Sequence, residues 1–234
     1  MPAKRVAIAT CVEYPDPDAE TGLLAGVLAG LGVDVSLAPW SEQPPGGWES
    51  FDAVIIRATW DYTYACERFV AWARAIGARL CNAPDVVAWN VDKRYLFDLE
   101  RAGIAAHAGA LLQPGTAFEP PPGRFVVKPT VSAGARDAAV YDEARHDVAR
   151  AHVAALHAAG RDVLVQPYCA RVEIEGETAV IVIDGELSHC MRKGALLELD
   201  QDPREGLYRP EHMRRREPEA EVVALAERAV GYVT

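Results

Sequence analysis

Phe125-Val126-Val127-Lys128-Pro129-Thr130-Val131-Ser132-Ala133-Gly134-Ala135-Arg136 is followed, 26 residues on, by Val163-Leu164-Val165-Gln166-Pro167-Tyr168. A short β-branched run delivers a single lysine beside a proline, and a loop of small, hydroxyl-bearing residues comes next. A lysine at a strand end holds an anion as a fixed point charge, and a Ser/Gly loop lays backbone N–H groups and hydroxyls against the same anion. The second apolar run ends in Gln166, Pro167 and Tyr168, an amide and an aromatic suited to a flat base. Together the two segments predict a nucleotide triphosphate site clamped between two sheets.

Outward from this core, composition narrows the setting. The 234 residues carry a formal net charge of −10, with half the residues hydrophobic and a quarter charged. A negative field of this size opposes nucleic-acid binding and gives no support to an anionic-membrane role. Any phosphate must then be held by local cations. Cys11, Cys66, Cys81, Cys169 and Cys190 are odd in number and have no metal-ligand spacing, which predicts reduced core or near-core thiols in a cytoplasmic protein. Met1 to Arg5 has the basic character of a leader. The apolar run Val6–Thr10 behind it is too short, and Glu13, Asp16 and Asp18 follow, so no leader and no membrane span are expected.

Hydrophobic periodicity sets the architecture. Val6–Thr10, Val33–Leu37, Ala53–Ile56 and Arg79–Cys81 read as short strands, alternating with helices over Ala19–Leu31 and Tyr64–Ile76. This rhythm predicts a parallel α/β layer over roughly residues 1 to 85. Pro84 opens a helical turn, and Asp92–Ala102 is an amphipathic helix with Tyr95, Leu96, Leu99 and Ala102 on one face. A proline-rich connector runs from Pro114 to Gly123. Phe125–Lys128 pairs with Ala138–Tyr141, an alanine-rich helix spans Asp142–Ala159 with His152 and His157 on its surface, and Leu164–Pro167 is a strand. Asp184-Gly185 between Thr178–Ile183 and Leu187–Cys190 is a hairpin signal. Residues 200–216 read as an exposed arginine-rich loop, and Pro218–Val230 as a last helix. The fold class is thus α/β followed by α+β.

Several side chains stand out beside Lys128, Ser132 and Gly134. Asp92 is an N-cap that places Lys93 in the first turn of its helix, against the macrodipole, a local conflict that points to a ligand role for Lys93. Arg57 to Tyr62 follows the third strand of the parallel layer, where ligands of open α/β sheets sit. Arg57 there clamps a carboxylate or pairs with Asp61. Glu173, Glu175 and Glu177 bracket Gly176 near the hinge, and one of them is placed to accept from ribose hydroxyls. Arg192 and Lys193 end a hairpin strand and either face a γ-phosphate or form a solvated patch. The Walker pattern, the GxGxxG fingerprint, a Ser/His/Asp order and a His/Cys cluster are all missing.

The ordered set Arg57-Ala58-Thr59-Trp60-Asp61-Tyr62, Asp92-Lys93-Arg94-Tyr95-Leu96, Val126-Val127-Lys128-Pro129-Thr130, Val165-Gln166-Pro167-Tyr168, Gly176-Glu177-Thr178, Asp184-Gly185-Glu186 and Lys193-Gly194 resembles the ATP-grasp superfamily. Within it the chain is similar to the glutathione-synthetase/RimK-like branch, in particular the O-ureido-serine cyclo-ligase group of D-cycloserine biosynthesis. The resemblance implies a Rossmann-like substrate domain over residues 1–88. A clamp of two α+β subdomains follows, over 89–165 and 166–234, the second expected to be incomplete. It implies ATP-dependent activation of a small, amino-acid-like carboxylate as an acyl phosphate, then attack by an amine or similar nucleophile, with intramolecular cyclisation as one form. Lys93, Lys128, Ser132 and Gly134 correspond to the phosphate site, Gln166, Pro167 and Tyr168 to the adenine hinge, and Glu173 and Glu177 to the acidic residues near the ribose. Lys193 and Arg192 fall at the transferred phosphoryl group, and Arg57, Asp61 and Tyr62 at the substrate. Magnesium is implied as well. The resemblance finds no ligands for it in this chain, with Glu198, Asp200 and Asp202 the nearest carboxylates, and homo-oligomers are common in the branch. A nucleotide-binding module without catalysis and a metabolite-binding α/β protein are the competing expectations.

Overall fold

The computed structural model describes residues 3–13, 19–197, 199, 203 and 212–234. The chain divides into two compact units, Met1–Val91 and Asp92–Thr234. In the first, β1 (Arg5–Thr10), β2 (Asp34–Pro39) and β3 (Ala53–Ala58) form a parallel sheet in the order β2-β1-β3. Helix α1 (Ala19–Gly30) connects β1 to β2, a 3-10 turn over Trp48–Ser50 lies between β2 and β3, and α2 (Cys66–Ile76) and α3 (Pro84–Asn90) follow β3. The helical spacing in α2 buries Phe69, Ala73 and Ile76, which meet Trp40, Trp48, Phe51 and Val54 in one apolar cluster. Phe69 and Trp72 stack with centroids 5.4 Å apart, and Trp40 packs edge-on against Phe69 at 5.1 Å.

Three local expectations differ from what forms. Arg79–Cys81 is not a strand: Gly77–Arg79 is a 3-10 turn, and Leu80 makes a single parallel bridge to Val54. The apolar run is too short to build a ladder once Gly77 has ended α2. Strand β3 extends to Ala58, because Ala58 pairs with Thr10 after an irregularity in the register. Arg57 therefore lies within the strand. The helix expected from Tyr64 starts at Cys66, behind a 3-10 turn over Trp60–Tyr64.

The second unit holds two antiparallel sheets. One has the order β4-β7-β5-β6, from β4 (Ala110–Leu112), β5 (Phe125–Pro129), β6 (Ala139–Tyr141) and β7 (Val163–Pro167). Alternation along β5 buries Phe125, Val127 and Pro129 on one face. Phe125 and Val127 join Val163 and Val165 of β7 and Ala149, Val153 and Leu156 of α5 (His146–Ala158) in the second core cluster. β4 lies in a stretch without strong alternation and was not expected. Asp142 accepts from the Ala144 amide at 3.1 Å and caps the 3-10 turn that leads into α5. His152 is not a surface residue. It is half-buried, with Nδ1 3.0 Å from the Tyr141 hydroxyl, and burial pushes its pKa down.

The other sheet has the order β10-β9-β8, from β8 (Glu177–Ile183), β9 (Glu186–Lys193) and β10 (Met213–Arg215). Part of the stretch expected as loop, Met213–Arg215, is thus an edge strand paired with β9. Helices α4 (Tyr95–Arg101), α6 (Arg171–Glu175) and α7 (Ala220–Val233) complete the unit. Among the described residues no helix is long and apolar enough to cross a membrane. The expected hairpin forms, with Asp184 and Gly185 both left-handed, at φ 54° and 80°. A Cβ at Gly185 meets nothing within 4 Å, so Gly185→Ala isolates the backbone penalty. It lowers stability by about 1 kcal/mol, read as a reduced denaturation midpoint with an unchanged m-value.

Candidate functional site

The same alternation that fills the core turns Val126 and Lys128 to the opposite face of β5. Val126 stands across from Gln166 of β7, and Lys128 across from Leu164. Val126, Lys128 and Gln166 line a cavity of about 450 Å³, well within the size range of small-molecule sites. Tyr95 and Leu96 of α4, the loop Ser132–Ala135, the hinge Pro167–Cys169, Glu177 at the start of β8 and Ala195–Leu197 beyond β9 form its other walls.

Lys93 enters the cavity by a route other than the expected one. α4 begins at Tyr95, and Asp92 accepts from the Arg94 amide at 2.9 Å, so it closes a turn and does not cap the helix. Lys93 sits in that turn. Its amide donates to Thr130 O at 2.9 Å, and Nζ donates to Ser132 O at 2.6 Å and Ser132 Oγ at 2.9 Å. Strand β5 and the chain before α4 are thereby locked at the mouth of the loop. Burial first, and then the nearby Lys128 charge, push the Lys93 pKa down to about 8. Burial also lowers the Lys128 pKa, against the opposing effect of Glu177. Two half-desolvated ammonium groups that repel each other are an incomplete charge arrangement, and a polyanion completes it.

The loop between them is under backbone constraint. Gly134 is left-handed, and so are the non-glycine residues Ala135 and Asp137, at φ 58° and 53°. Non-glycine residues in this region are held there by their surroundings, and such positions cluster at ligand clamps. Arg161 supplies part of the hold: its guanidinium reaches Asp137 Oδ2 at 2.5 Å and Val131 O at 3.3 Å, at opposite ends of the loop.

The hinge is braced from two sides. The Tyr168 amide donates to Arg124 O at 2.9 Å, and its ring lies under the Arg124 guanidinium, 4.6 Å from the centroid. The Tyr168 hydroxyl donates to Glu173 at 2.9 Å, and Arg124 to the same oxygen at 2.7 Å. Burial and then the Glu173 carboxylate push the Tyr168 pKa up to about 12. Glu173 is thus engaged on α6, outside the cavity lining, while Glu177 lines it. On the other side, Gln166 Nε2 donates to His107 O, and His107 Nε2 lies 2.7 Å from Pro167 O.

Of the candidates read from the sequence, Lys93, Lys128, Ser132, Gly134, Gln166, Pro167, Tyr168 and Glu177 share one cavity. Lys193 pairs with Glu177 across the β8–β9 ladder but is not in the lining. Arg192 donates to Glu175 O at 2.7 Å and Ile174 O at 2.9 Å, which tethers the end of α6. It faces a second, arginine-lined cavity with Arg214, Arg215 and Arg216. In the first unit Arg57 pairs with Glu20, Asp61 accepts from Trp40 Nε1 at 2.5 Å, and Tyr62 packs on Phe69 with centroids 5.2 Å apart. Burial is the main cause that raises the Asp61 pKa. Cys81 and Cys169 are exposed, against the expectation of core thiols, and Cys169 lines the cavity. His107, Tyr95 and Val172 line it too and carried no sequence signal for that role. Among the described residues no His, Cys, Asp and Glu side chains gather into a set that fits a metal ion. Glu198, Asp200 and Asp202 lie outside those residues.

The profile of a family described as D-cycloserine synthetase DcsG, N-terminal domain, matches residues 6–82. The chain is 32% identical over 182 residues to the cycloserine biosynthesis protein DcsG of Streptomyces lavendulae, a match that takes in 73% of this chain and 60% of that protein. It therefore spans less than two thirds of that relative's length. A crystal structure of D-cycloserine synthetase DcsG superposes with a TM-score of 0.82 at 28% identity, covering 98% of this chain and 82% of the other. The ATP-grasp RimK domain protein of Sphaerobacter thermophilus gives 0.67 at 18% identity over 98% and 82% of the two chains. The D-alanine–D-alanine ligase of Bacillus anthracis, in complex with ATP, gives 0.58 at 13% identity over 99% and 77%. The last two likenesses are of fold.

Proposed function

We propose that the chain, similar to D-cycloserine synthetase DcsG in sequence and fold, is an enzyme of the ATP-grasp superfamily, an ATP-dependent ligase that activates a small, amino-acid-like carboxylate. One observation carries the reading: two half-buried lysines, a constrained hydroxyl-bearing loop and an amide–aromatic hinge line a single cavity. Lys93 and Lys128 hold the polyphosphate, with Ser132 and Gly134 over it. Gln166, Pro167 and Tyr168 take the base, and Glu177 accepts from the ribose hydroxyls. A substrate carboxylate oxygen attacks the γ-phosphorus and the bond to the β-phosphate oxygen breaks, giving an acyl phosphate and ADP. A nucleophile, an amine or a group of the same molecule, then attacks the acyl carbon and phosphate leaves. Such transfer needs positioning and charge neutralisation more than a protein nucleophile. Arg57, Asp61 and Tyr62 are assigned to the substrate, and Lys193 with Arg192 to the transferred phosphoryl group. Residues 89–165 and 166–234 act as the two halves of the clamp. The metal of such reactions would neutralise phosphate charge, but the described residues do not gather a ligand set that fits it. Five scattered cysteines without metal-ligand spacing suit a cytoplasmic protein, a net charge of −10 suits one without nucleic-acid or membrane partners, and a homo-oligomer is the assembly we assign.

Hydroxylamine tests the reaction, because it captures an acyl phosphate as a hydroxamate whatever the natural nucleophile. Hydroxamate that requires both ATP and an amino-acid-like carboxylate supports the ligase. ATP binding with no hydroxamate across a broad amino-acid pool favours the alternative of a nucleotide-binding module, for which the lack of a metal-ligand set among the described residues speaks. Occupancy has an independent readout in Cys169, at the hinge. ATP slows its alkylation severalfold and leaves Cys81 of the other unit unaffected. Equal protection of both thiols, or of neither, counts against a nucleotide in this cavity.

A further inference from the structure

We propose that His107 sets base specificity: it clamps the hinge so that the Gln166 amide offers its oxygen to the base, and the cavity selects a 6-amino purine over a 6-oxo purine. The inference rests on the nucleotide reading of the cavity and assigns a role to a residue outside that reading.

A glutamine amide can present either its oxygen or its NH2 to a ligand, and the surrounding hydrogen bonds decide which. Gln166 is 5% exposed and lines the cavity. Its NH2 group donates to the His107 carbonyl. A carbonyl only accepts, so the amide has a single satisfied orientation, and Oε1 is the polar atom left for the base. The imidazole makes the second half of the clamp. Its Nε2 lies 2.7 Å from Pro167 O, again an acceptor, which fixes the proton on Nε2. One residue thus ties both neighbouring hinge residues to the segment before β4, Gln166 through its carbonyl and Pro167 through its imidazole. The polar atoms that face the base from Gln166 and Pro167 are then acceptors. They match an exocyclic amino group and oppose a 6-oxo group, whose oxygen has no proton to share with them.

The approach of this segment is itself built in. Gly109 has φ 80°, and a Cβ there would fall 2.2 Å from Val165 O, 3.0 Å from Gln166 Cα and 3.1 Å from Gln166 Cγ. Any side chain at 109 drives the segment away from the hinge. Two positions two residues apart therefore serve one contact: glycine permits it and histidine locks it.

ATP and inosine triphosphate differ at the base in that 6-substituent and in the proton that the 6-oxo purine carries on N1, and calorimetric titration of the full chain with each reads the selectivity directly. The wild type binds ATP at least about tenfold more tightly than inosine triphosphate, the scale set by one unpaired buried polar group. His107→Ala, a change at an exposed side chain, brings that ratio to within about threefold. His107→Asn, which keeps an N–H for Pro167 O, restores it. Gly109→Ala collapses the ratio while leaving the chemistry of both hydrogen-bonding side chains unchanged. A wild-type ratio near one, or a ratio retained in both His107→Ala and Gly109→Ala, overturns the inference while ATP binding still stands. Failure of the wild type to bind either nucleotide overturns the inference together with the reading beneath it.

Discussion

Lys128→Met lowers ATP affinity by roughly a hundredfold and at the same time raises the thermal stability of the unliganded protein. The first effect follows from where charge resides. The molecule carries a formal −10, so its overall field repels a nucleotide, and binding depends on cations fixed inside the cavity. Charge-assisted hydrogen bonds of this kind contribute about 1.5–3 kcal/mol each, more when partly desolvated. The second effect follows from the same burial. Lys128 lies largely out of water, and its pKa is depressed mainly for that reason, so the charged form is a burden on the empty fold. A methionine of similar length fills the space along the Val126 face of β5 without it. Lys128→Arg does not rescue binding, because a planar fork needs room that a strand-end position between β6 and β7 does not give. Calorimetry and thermal melts on one preparation decide the matter. Weaker binding without stabilisation would mean that Lys128 is an ordinary structural side chain. Unchanged binding would remove the polyphosphate from this cavity.

What the sequence made legible, and what it hid, divides along the range of the interactions. Lys128, Ser132, Gly134 and Gln166 were readable because each lies on or beside a short β-branched run, where a period of two decides the face and a proline marks the end. Choosing among Glu173, Glu175 and Glu177 was beyond local pattern. The five-residue helix α6 has no strong signal, yet it carries Glu173 to Arg124 and Tyr168, while Gly176 ends it and leaves Glu177 on the strand. The premise for Lys93 was mistaken although the residue is in the cavity. Its position is set by Thr130 O and Ser132, 37 and 39 residues away, and not by a helix dipole. Arg57 was displaced into β3 by pairing with β1, which no window of residues around it could reveal. His107 had no signal, because its role exists only once β4 has paired with β7. Glu198, Asp200 and Asp202 were named as substitute metal carboxylates, and that reading falls outside the described residues.

Nucleotide affinity falls by at least about tenfold between pH 7.5 and 9.5, and Lys93 is the main cause. Its pKa in the empty cavity is about 8, against an ordinary 10.5, through burial first and the charge of Lys128 second. A bound polyphosphate replaces lost solvation and offsets the repulsion, so it raises that pKa toward or beyond the ordinary value. Above pH 8 the empty site holds increasingly neutral Lys93, and binding must take up a proton. Each further pH unit then weakens binding, with a limit of tenfold per unit for one group. The nucleotide's own terminal phosphate, with a last ionisation near pH 6, is fully charged throughout this window and adds no opposing slope. Stability runs with the opposite sign. A lysine whose folded pKa lies below its unfolded one destabilises the empty fold wherever both states are protonated. That penalty is on the order of 3 kcal/mol below pH 8 and is relieved as pH rises toward 10.5. The melting-temperature gain on adding ATP is therefore larger at pH 7.5 than at pH 9.5, while the melting temperature of the empty protein gains from this group over the same interval. Titrations at pH 8.5 in two buffers of different ionisation enthalpy measure the proton directly. Uptake of a substantial fraction of one proton, abolished in Lys93→Met, is the expected result. Binding that is flat with pH and transfers no proton would place the ammonium group of Lys93 away from the phosphates.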